Sequence, residues 1–151
     1  GPAKVFRPNR DVRFSKDKAP YKLNGAMTAG RVGGVYASVS ADGVSAGGGL
    51  YDPSRDQLAR VRDAIATKRG AAQQLRKALD EATGAGLELM GPSLKTAPRG
   101  YDPEHPRIEL LRMQRFAALR RLPLKATQDD ITGVWTTLEP LLAWIEKYAA
   151  R

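Results

Sequence analysis

The strand pattern between residues 35 and 51 most limits the folds open to this chain. Apolar residues alternate with Tyr or Ser over 35–40, as in a strand that has one face against a core. Asp42-Gly43 then supplies a turn, and a second stretch returns over 44–51. We therefore predict a β-hairpin, and any fold for the chain has to contain a sheet.

Helical periodicity and helix-start signals follow the hairpin. Ser54 and Gln57 have the spacing of a capping box, in which each side chain satisfies a free backbone N–H. A second helix is predicted over 71–82, with Gly84 as its left-handed cap. Leu87 and Leu89 suggest a further strand. A third helix is predicted to start at Asp102 and to carry apolar and basic residues on related faces: Ile108, Leu111, Arg115 and Leu119.

The last predicted helix begins at Thr127 and carries one apolar stripe, which we interpret as core packing: Ile131, Trp135, Leu138, Leu142 and Ile145. Pro140 lies inside this stripe and predicts a kink or a break near Glu139, because proline lacks the N–H that a helix interior needs. Strands followed by helices, without regular βαβ alternation, indicate an α+β fold. We expect an antiparallel sheet or hairpin from the N-terminal half, packed with about four helices from the C-terminal half.

Composition restricts the classes of site and location. The 151 residues fit one domain, 1–151, and the opening Gly1-Pro2 resembles a purification scar. No Cys is present and His105 is the single His, which excludes a zinc site built from His and Cys. An all-carboxylate Mg²⁺ or Ca²⁺ site stays open, and the sequence identifies no cofactor. The absence of Cys and of long apolar runs predicts a soluble, cytoplasmic protein.

The net charge of +9 is concentrated in two segments. Residues 1–25 contain seven Lys or Arg and two Asp, and residues 95–125 contain eight Lys or Arg and three acidic residues. Two basic segments on one face would attract an anion, such as a phosphorylated small molecule or a nucleic acid. The alternative is that they are solvated faces, which we favour for 95–125 because its arginines are expected to be scattered along a helix.

The densest polar constellation is the run from Arg7 to Lys22. If Val12 and Phe14 point into the core, strand alternation groups Asp11, Arg13 and Ser15 on the other face. Such a group offers a guanidinium fork, a carboxylate to orient it and a hydroxyl, which suits an anionic ligand. An internal salt bridge that pins a loop to the fold explains the same residues equally well.

Two further stretches are candidates. The triple glycine at 47–49 lies in a strand, where glycines mark a bulge or the close approach of a backbone or ligand, and packing against a helix is the favoured reading. It matches neither a phosphate loop nor a dinucleotide fingerprint. The loop 94–101 brackets Arg99 with Pro and Gly, which suggests a rigid loop that aims this guanidinium at a target. His105 is interpreted as a surface residue or supporting donor, because no nucleophile motif accompanies it.

These stretches resemble domain-of-unknown-function family 2461, a widespread bacterial and fungal family. The residues that carry the resemblance are Phe6-Arg7-Pro8, Arg10-Asp11, Arg13 to Lys18, Pro20-Tyr21-Lys22, Gly47 to Tyr51, Leu94-Lys95, Pro98 to Tyr101, His105-Pro106 and Leu110-Leu111. The resemblance implies no activity, cofactor or catalytic residue. It does imply an N-terminal helical segment ahead of the Phe6 run, so the chain is interpreted as the C-terminal core of a longer protein.

Three functional hypotheses remain open. The leading one is a basic cleft for a phosphate- or carboxylate-bearing ligand, with Asp11 or Asp17 as acid, base or metal ligand in case the protein is an enzyme. The predicted ligand-binding residues are Arg7, Arg10, Asp11, Arg13, Ser15, Asp17, Lys18, Tyr21, Lys22, Tyr51, Arg99 and Tyr101. The second is nucleic-acid binding through 4–22 and 95–125. The third is a structural or protein-interaction module in which the basic run forms internal salt bridges.

Overall fold

A computed structural model of the chain describes the backbone of residues 10–12 and the whole of residues 32–150. Strands and helices follow one another there in the order β1 (Arg10–Val12), β2 (Gly34–Ser40), β3 (Gly43–Leu50), α1 (Arg55–Thr67), α2 (Arg69–Gly84), β4 (Glu88–Leu89), α3 (Ile108–Leu111), β5 (Phe116–Leu122), α4 (Gln128–Thr137) and α5 (Glu139–Tyr148).

The five strands form one sheet in the order β1-β2-β3-β5-β4, and each neighbouring pair is antiparallel. The helices pack against this sheet, with α4 and α5 against β3. The predicted α+β class with an antiparallel sheet is therefore confirmed. The sheet does not come from the N-terminal half alone, because β5 is contributed by the second half of the chain.

The predicted hairpin is formed by β2 and β3. Ser40 pairs with Gly43, which leaves a two-residue turn, Ala41-Asp42. The Asp42 backbone N–H donates to Ser40 Oγ at 3.2 Å, and Gly43 has a φ of +146°, a conformation that glycine adopts readily. Buried and partly exposed residues alternate along β2, as the sequence pattern required.

The triple glycine of β3 allows the neighbouring strands to approach closely. A Cβ on Gly47 would lie 2.5 Å from the carbonyl oxygen of Ala118 in β5, and one on Gly48 would lie 2.8 Å from that of Gly34 at the start of β2. Gly49 has a φ of +127°. The close contacts of these glycines are thus with adjacent strands, and their packing against a helix stays a prediction.

Local capping signals fix α1 and α2. Ser54 and Gln57 form the predicted capping box, with hydrogen bonds of 2.8 and 3.1 Å. The predicted left-handed cap at Gly84 is wrong by two residues, because α2 includes Gly84 and the positive φ falls on Gly86. The Gly86 and Leu87 N–H groups donate to carbonyls of the last helical turn, the Schellman arrangement that Gly makes possible.

The predicted third helix is largely wrong. Asp102 Oδ1 accepts a hydrogen bond from the Glu104 N–H in a turn, and helix α3 spans only Ile108–Leu111. The chain then enters β5, so Leu119 lies on a strand that pairs with β3 along its whole length. Ala, Leu and Arg favour helices locally, but this ladder outweighs a preference of a few tenths of a kcal/mol per residue.

The helical end of the chain matches its prediction. Thr127 and Asp130 form a capping box at the start of α4, and the break falls between α4 and α5 with Pro140 in the first turn of α5. An N–H has no intrahelical partner in that turn, so proline costs nothing there. All residues of the predicted stripe are buried.

One hydrophobic core joins the sheet to the helices, and its largest fully buried side chains include Trp135, Phe116, Ile65, Leu75 and Leu111. Both indole groups donate to main-chain carbonyl oxygens. Trp135 Nε1 lies 3.0 Å from Tyr36 O, and Trp144 Nε1 lies 2.7 Å from Ala71 O. None of the helices in the described ranges has the length and apolar character that a membrane span requires.

A Gly47→Ala substitution tests the close strand approach. The added methyl group collides with the β5 backbone, so we expect the free energy of unfolding to fall by about 1–3 kcal/mol or more. The matched control is Gly133→Ala on the exposed surface of α4, where a Cβ meets no atom within 4 Å and a gain of about 0.5–1 kcal/mol is expected. Urea unfolding of both variants measures this, and equal stabilities would contradict the account.

Candidate functional site

The predicted site residues fall into three groups. Tyr51, Arg99 and Tyr101 are described in full, while Arg10 and Asp11 are described as backbone in β1. The remaining predictions lie outside the described residues: Arg7, Arg13, Ser15, Asp17, Lys18, Tyr21 and Lys22.

Strand β1 attaches the basic run to the edge of the sheet. Asp11 pairs with Ser38, and Val12 pairs with Ala37. Ala37 is buried, whereas Ser38 is partly exposed on the opposite face of β2. The expectation that Val12 faces the core and Asp11 the other side stays a prediction from the sequence pattern.

The end of the sheet where β3 ends and β5 begins brings Tyr51 and Arg115 together; we call it the Tyr51 end. Leu50 pairs with Phe116 there, so Tyr51 follows β3 directly beside Arg115, which precedes β5. Because β1 and β2 are antiparallel, β1 also runs toward this end, and β2 begins at it. Val32 precedes β2 at this end, whereas Val12 pairs with Ala37 in the middle of β2.

Arg115 stacks on Tyr51. Its guanidinium carbon lies 4.2 Å from the centre of the Tyr51 ring, within the range of a cation–π contact. The Tyr51 side chain is 51% exposed and Arg115 is partly buried, so the pair lies at the surface with one flank covered. This contact fixes the plane of the guanidinium group and leaves its edges open.

A tied loop supports the aliphatic part of Arg115. A Cβ on Gly91 would lie 2.7 Å from Arg115 Cδ, so the side chain crosses the space that this glycine leaves empty. The loop is joined to the residues just before Arg115 by three hydrogen bonds: Leu94 N donates to Arg112 O at 2.8 Å, Arg112 Nε donates to Leu94 O at 2.7 Å, and Gln114 Nε2 donates to Pro92 O at 3.1 Å. Arg115 is thus held from both sides.

The guanidinium of Arg115 has open donor positions among the described residues. Across residues 32–150 it forms no ion pair and donates no hydrogen bond to a carbonyl or carboxylate oxygen. Arginine carries five N–H donors in a planar fork that matches carboxylate and phosphate oxygens. A pre-oriented cationic fork at the surface is chemically suited to bind such an anion.

Small residues form a floor beside this fork. Gly47, Gly49 and Ala117 are buried on the same face of the sheet as Arg115. The Tyr36 hydroxyl lies 3.8 Å from Met90 Sδ, although Tyr36 is on β2 and Met90 adjoins β5 on its far side. The Tyr36 and Met90 side chains therefore meet across β3 and β5, and the absence of side chains on the glycines leaves room for this contact.

Arg99 and Tyr101 are placed differently. Arg99 is exposed, and within the described segments it makes no hydrogen bond or ion pair. Gly100 has a φ of +91°, in a turn that a hydrogen bond from Tyr101 N to Pro98 O closes at 3.1 Å; that this loop aims Arg99 at a target stays a prediction. Tyr101 is partly buried against the core and lies near Arg62. No described hydrogen bond or ring contact joins either residue to Tyr51.

Arg62 is one of four described arginines that donate through Nε to main-chain carbonyl oxygens. Its Nε and Nη2 donate to Leu111 O at 2.9 Å and to Met113 O at 3.1 Å. Burial lowers the pKa of Arg62 below its usual value, and the nearby Tyr101 partly opposes this shift. The Arg62 guanidinium therefore stabilises the fold, and Tyr101 lies beside this structural arginine.

Three more arginines serve the fold in the same way. Arg60 donates to Ala149 O at 2.8 Å, Arg107 to Ile65 O at 2.7 Å and Ala66 O at 2.8 Å, and Arg112 to Leu94 O at 2.7 Å. Two of them belong to the second basic segment, 95–125. The expectation that the arginines of this segment lie along a helix is wrong, because that helix is replaced by a loop, α3 and β5.

His105 also has a structural contact. Its Nδ1 accepts a hydrogen bond from the Arg107 backbone N–H at 3.0 Å, in the turn that leads into α3. No group of three or more His, Cys, Asp or Glu among the described residues is arranged to hold a metal ion.

Sequence reasoning missed Arg115, Tyr36 and Met90. Arg115 was assigned to a helix, where it would not have lain beside Tyr51. The missing signal is the pairing of β5 with β3, since placing Phe116 opposite Leu50 puts Arg115 next to Tyr51 at once.

Comparison with known proteins gives one family. The family model described as "Conserved hypothetical protein (DUF2461)" matches residues 2–144. No curated protein and no solved structure matches the chain.

An Arg107→Ala substitution tests the structural use of arginine. It removes two charge-assisted hydrogen bonds at the end of α1, so we expect the free energy of unfolding to fall by about 1.5–3 kcal/mol. Arg99→Ala removes the same charge from an exposed side chain and should change stability by less than about 0.5 kcal/mol. Chemical denaturation of both variants measures the difference, and similar values would refute this division.

Proposed function

Since this chain belongs to the DUF2461 family of conserved hypothetical proteins, a description that names no reaction, we propose a function from its geometry. The protein binds a small molecule that carries a phosphate or carboxylate group. The binding site is the Tyr51 end of the sheet, and Arg115 is its central cation.

The stacked and unoccupied guanidinium of Arg115 carries this proposal. A surface arginine that extends into solvent loses side-chain freedom when it binds a ligand, which costs affinity. Arg115 is already fixed by the Tyr51 ring on one side and by the Gly91 loop on the other. Its donors need no rearrangement to meet an anion, and pre-organisation of this kind favours binding.

The predicted basic run supports the same location. Segment 13–31 connects β1 to β2, whose start belongs to the Tyr51 end. The run contains several cations that the sequence assigns to ligand binding: Arg7, Arg10, Arg13, Lys18 and Lys22. We propose that the cations after β1, Arg13, Lys18 and Lys22, add positive charge around Arg115, with Tyr21 as a further contact. Arg10 pairs with Val39 at the other end of β2, so it and the preceding Arg7 are left out of this site. Attraction by several cations exceeds that of one, because their potentials add at an anion.

Nucleic-acid binding is the weaker alternative. Arg107 and Arg112 of segment 95–125 donate to main-chain carbonyl oxygens, which leaves fewer cations free on this segment than its composition suggests. A cytoplasmic location remains our prediction from the cysteine-free sequence.

Titration calorimetry with pyrophosphate and with citrate tests the proposal. We expect at least one of these anions to bind, and Arg115→Ala to weaken its binding by roughly ten- to a hundredfold, the value of one charge-assisted hydrogen-bonded contact. Tyr51→Ala should weaken binding as well, because it frees the guanidinium, whereas Tyr51→Phe keeps the ring and should bind like the unmodified protein.

Arg121→Ala is the matched control. Arg121 is exposed on β5, away from Tyr51. Its substitution removes the same charge from the same stretch of chain. Circular dichroism establishes that each variant is folded. Equal losses of anion affinity in Arg115→Ala and Arg121→Ala would mean that only the net charge matters. If neither anion binds at millimolar concentration, the proposal is wrong.

A further inference from the structure

Two adjoining clefts flank the C-terminal part of α5. The first has a volume of about 360 Å³ and lies between α2 and α5, where Ala78, Pro140, Ala143 and Trp144 form its apolar walls. The second, of about 510 Å³, lies between α1 and α5. Lys147 and Tyr148 line both clefts, so the two adjoin there, and we call the pair of clefts the α5 groove.

The groove is built by the packing of α5 across the α1–α2 pair. Helix α5 contacts both α1 and α2, which meet at the break at Lys68. Arg60 of α1 donates to Ala149 O and ties the end of α5 to α1, while Trp144 of α5 donates to Ala71 O and ties α5 to the start of α2. The walls of the groove are therefore helices whose relative positions are fixed by hydrogen bonds.

Positive charge dominates the groove. Its lining contains four cationic residues, Arg60, Lys68, Lys77 and Lys147, and two acidic residues, Asp63 and Glu81. None of these cations forms an ion pair with an acidic residue in the described part of the chain. The cations occur along the whole length, with Lys77 in the first cleft, Lys147 between the two and Lys68 in the second.

The floor of the groove is apolar, and it includes aromatic rings. The rings of Trp144 and Tyr148 lie with their centres 4.9 Å apart, and Lys147 Nζ lies 5.3 Å from the centre of the Tyr148 ring. Trp144 is only 4% exposed and its Nε1–H is already bonded, so it offers contact area but neither a hydrogen bond nor a free face for stacking.

From this pattern we propose that the α5 groove binds an acidic peptide segment whose apolar side chains enter the two clefts and whose carboxylates pair with Lys77 and Lys147. A helix or strand with apolar residues at intervals presents such a surface. A single small anion would fill one cleft and leave the cations of the other unmatched. Bases of a nucleic acid would need an exposed ring to stack on, and the larger of the two rings here is buried.

Fluorescence anisotropy with a labelled peptide tests this inference. The probe is a Glu/Leu peptide of roughly twelve residues, about 18 Å long as a helix, and its analogue with Gln in place of Glu is the second probe. We expect the acidic probe to bind, and the Gln analogue to bind at least about tenfold more weakly. The reason is that the carboxylates of the acidic probe supply the ion pairs with the lysines. In NMR spectra, the indole signal of Trp144 should shift on binding, and that of Trp135 should not.

A charge-matched pair of double variants locates the site. Lys77→Gln with Lys147→Gln should weaken binding of the acidic probe about tenfold. Lys95→Gln with Lys125→Gln removes two exposed charges outside the groove and should change it by less than about twofold.

Equal effects of the two double variants, equal binding of the two peptides, or no binding of the acidic peptide would overturn the inference. So would a single-stranded RNA, or benzoate, that displaces the peptide and reproduces the Trp144 shift at lower concentration. The proposed anion site is tested separately, because Arg115→Ala should leave peptide binding unchanged.

Discussion

Hydrogen bonds from arginine side chains to main-chain carbonyl oxygens hold the helical layer of this protein together. The last turn of a helix leaves carbonyl groups without partners, and it carries partial negative charge. Arg60 donates to Ala149 O just beyond α5, and Arg107 donates to two carbonyl oxygens at the end of α1. Arg62 donates to one carbonyl oxygen at the end of α3 and to one just beyond it. These contacts join segments distant in sequence, so the positions of α1, α3 and α5 depend on them.

The same contacts explain why net charge is a poor guide to function here. Arginines that bind carbonyl oxygens contribute to a charge of +9 but have few donors left for a ligand. Arg115 differs because its partner is the Tyr51 ring, which fixes the guanidinium without occupying its N–H groups. Its neighbour Gly91 leaves room for its side chain, and Gly49 lies nearby on the same face of the sheet. Stability and the proposed binding thus use the same residue type through different contacts.

Local signals allowed much of this fold to be predicted. The hairpin, the capping boxes at Ser54 and Thr127, and the break at Pro140 each depend on residues close together in sequence. Strand β5 was missed because its Ala, Leu and Arg residues favour a helix locally, and its pairing with β3 joins residues far apart in the chain. Tyr51 was predicted as a site residue, but Arg115 beside it was not, because its position follows from that pairing alone.

The division between structural and available arginines is measured most directly by NMR of the arginine Nε–H groups. The account predicts slowly exchanging signals for Arg60, Arg62, Arg107 and Arg112, all of which donate through Nε, and a rapidly exchanging signal for Arg115. On addition of pyrophosphate or citrate, the Arg115 signal should shift while those four stay in place. A protected Arg115 signal that neither anion moves would contradict the account.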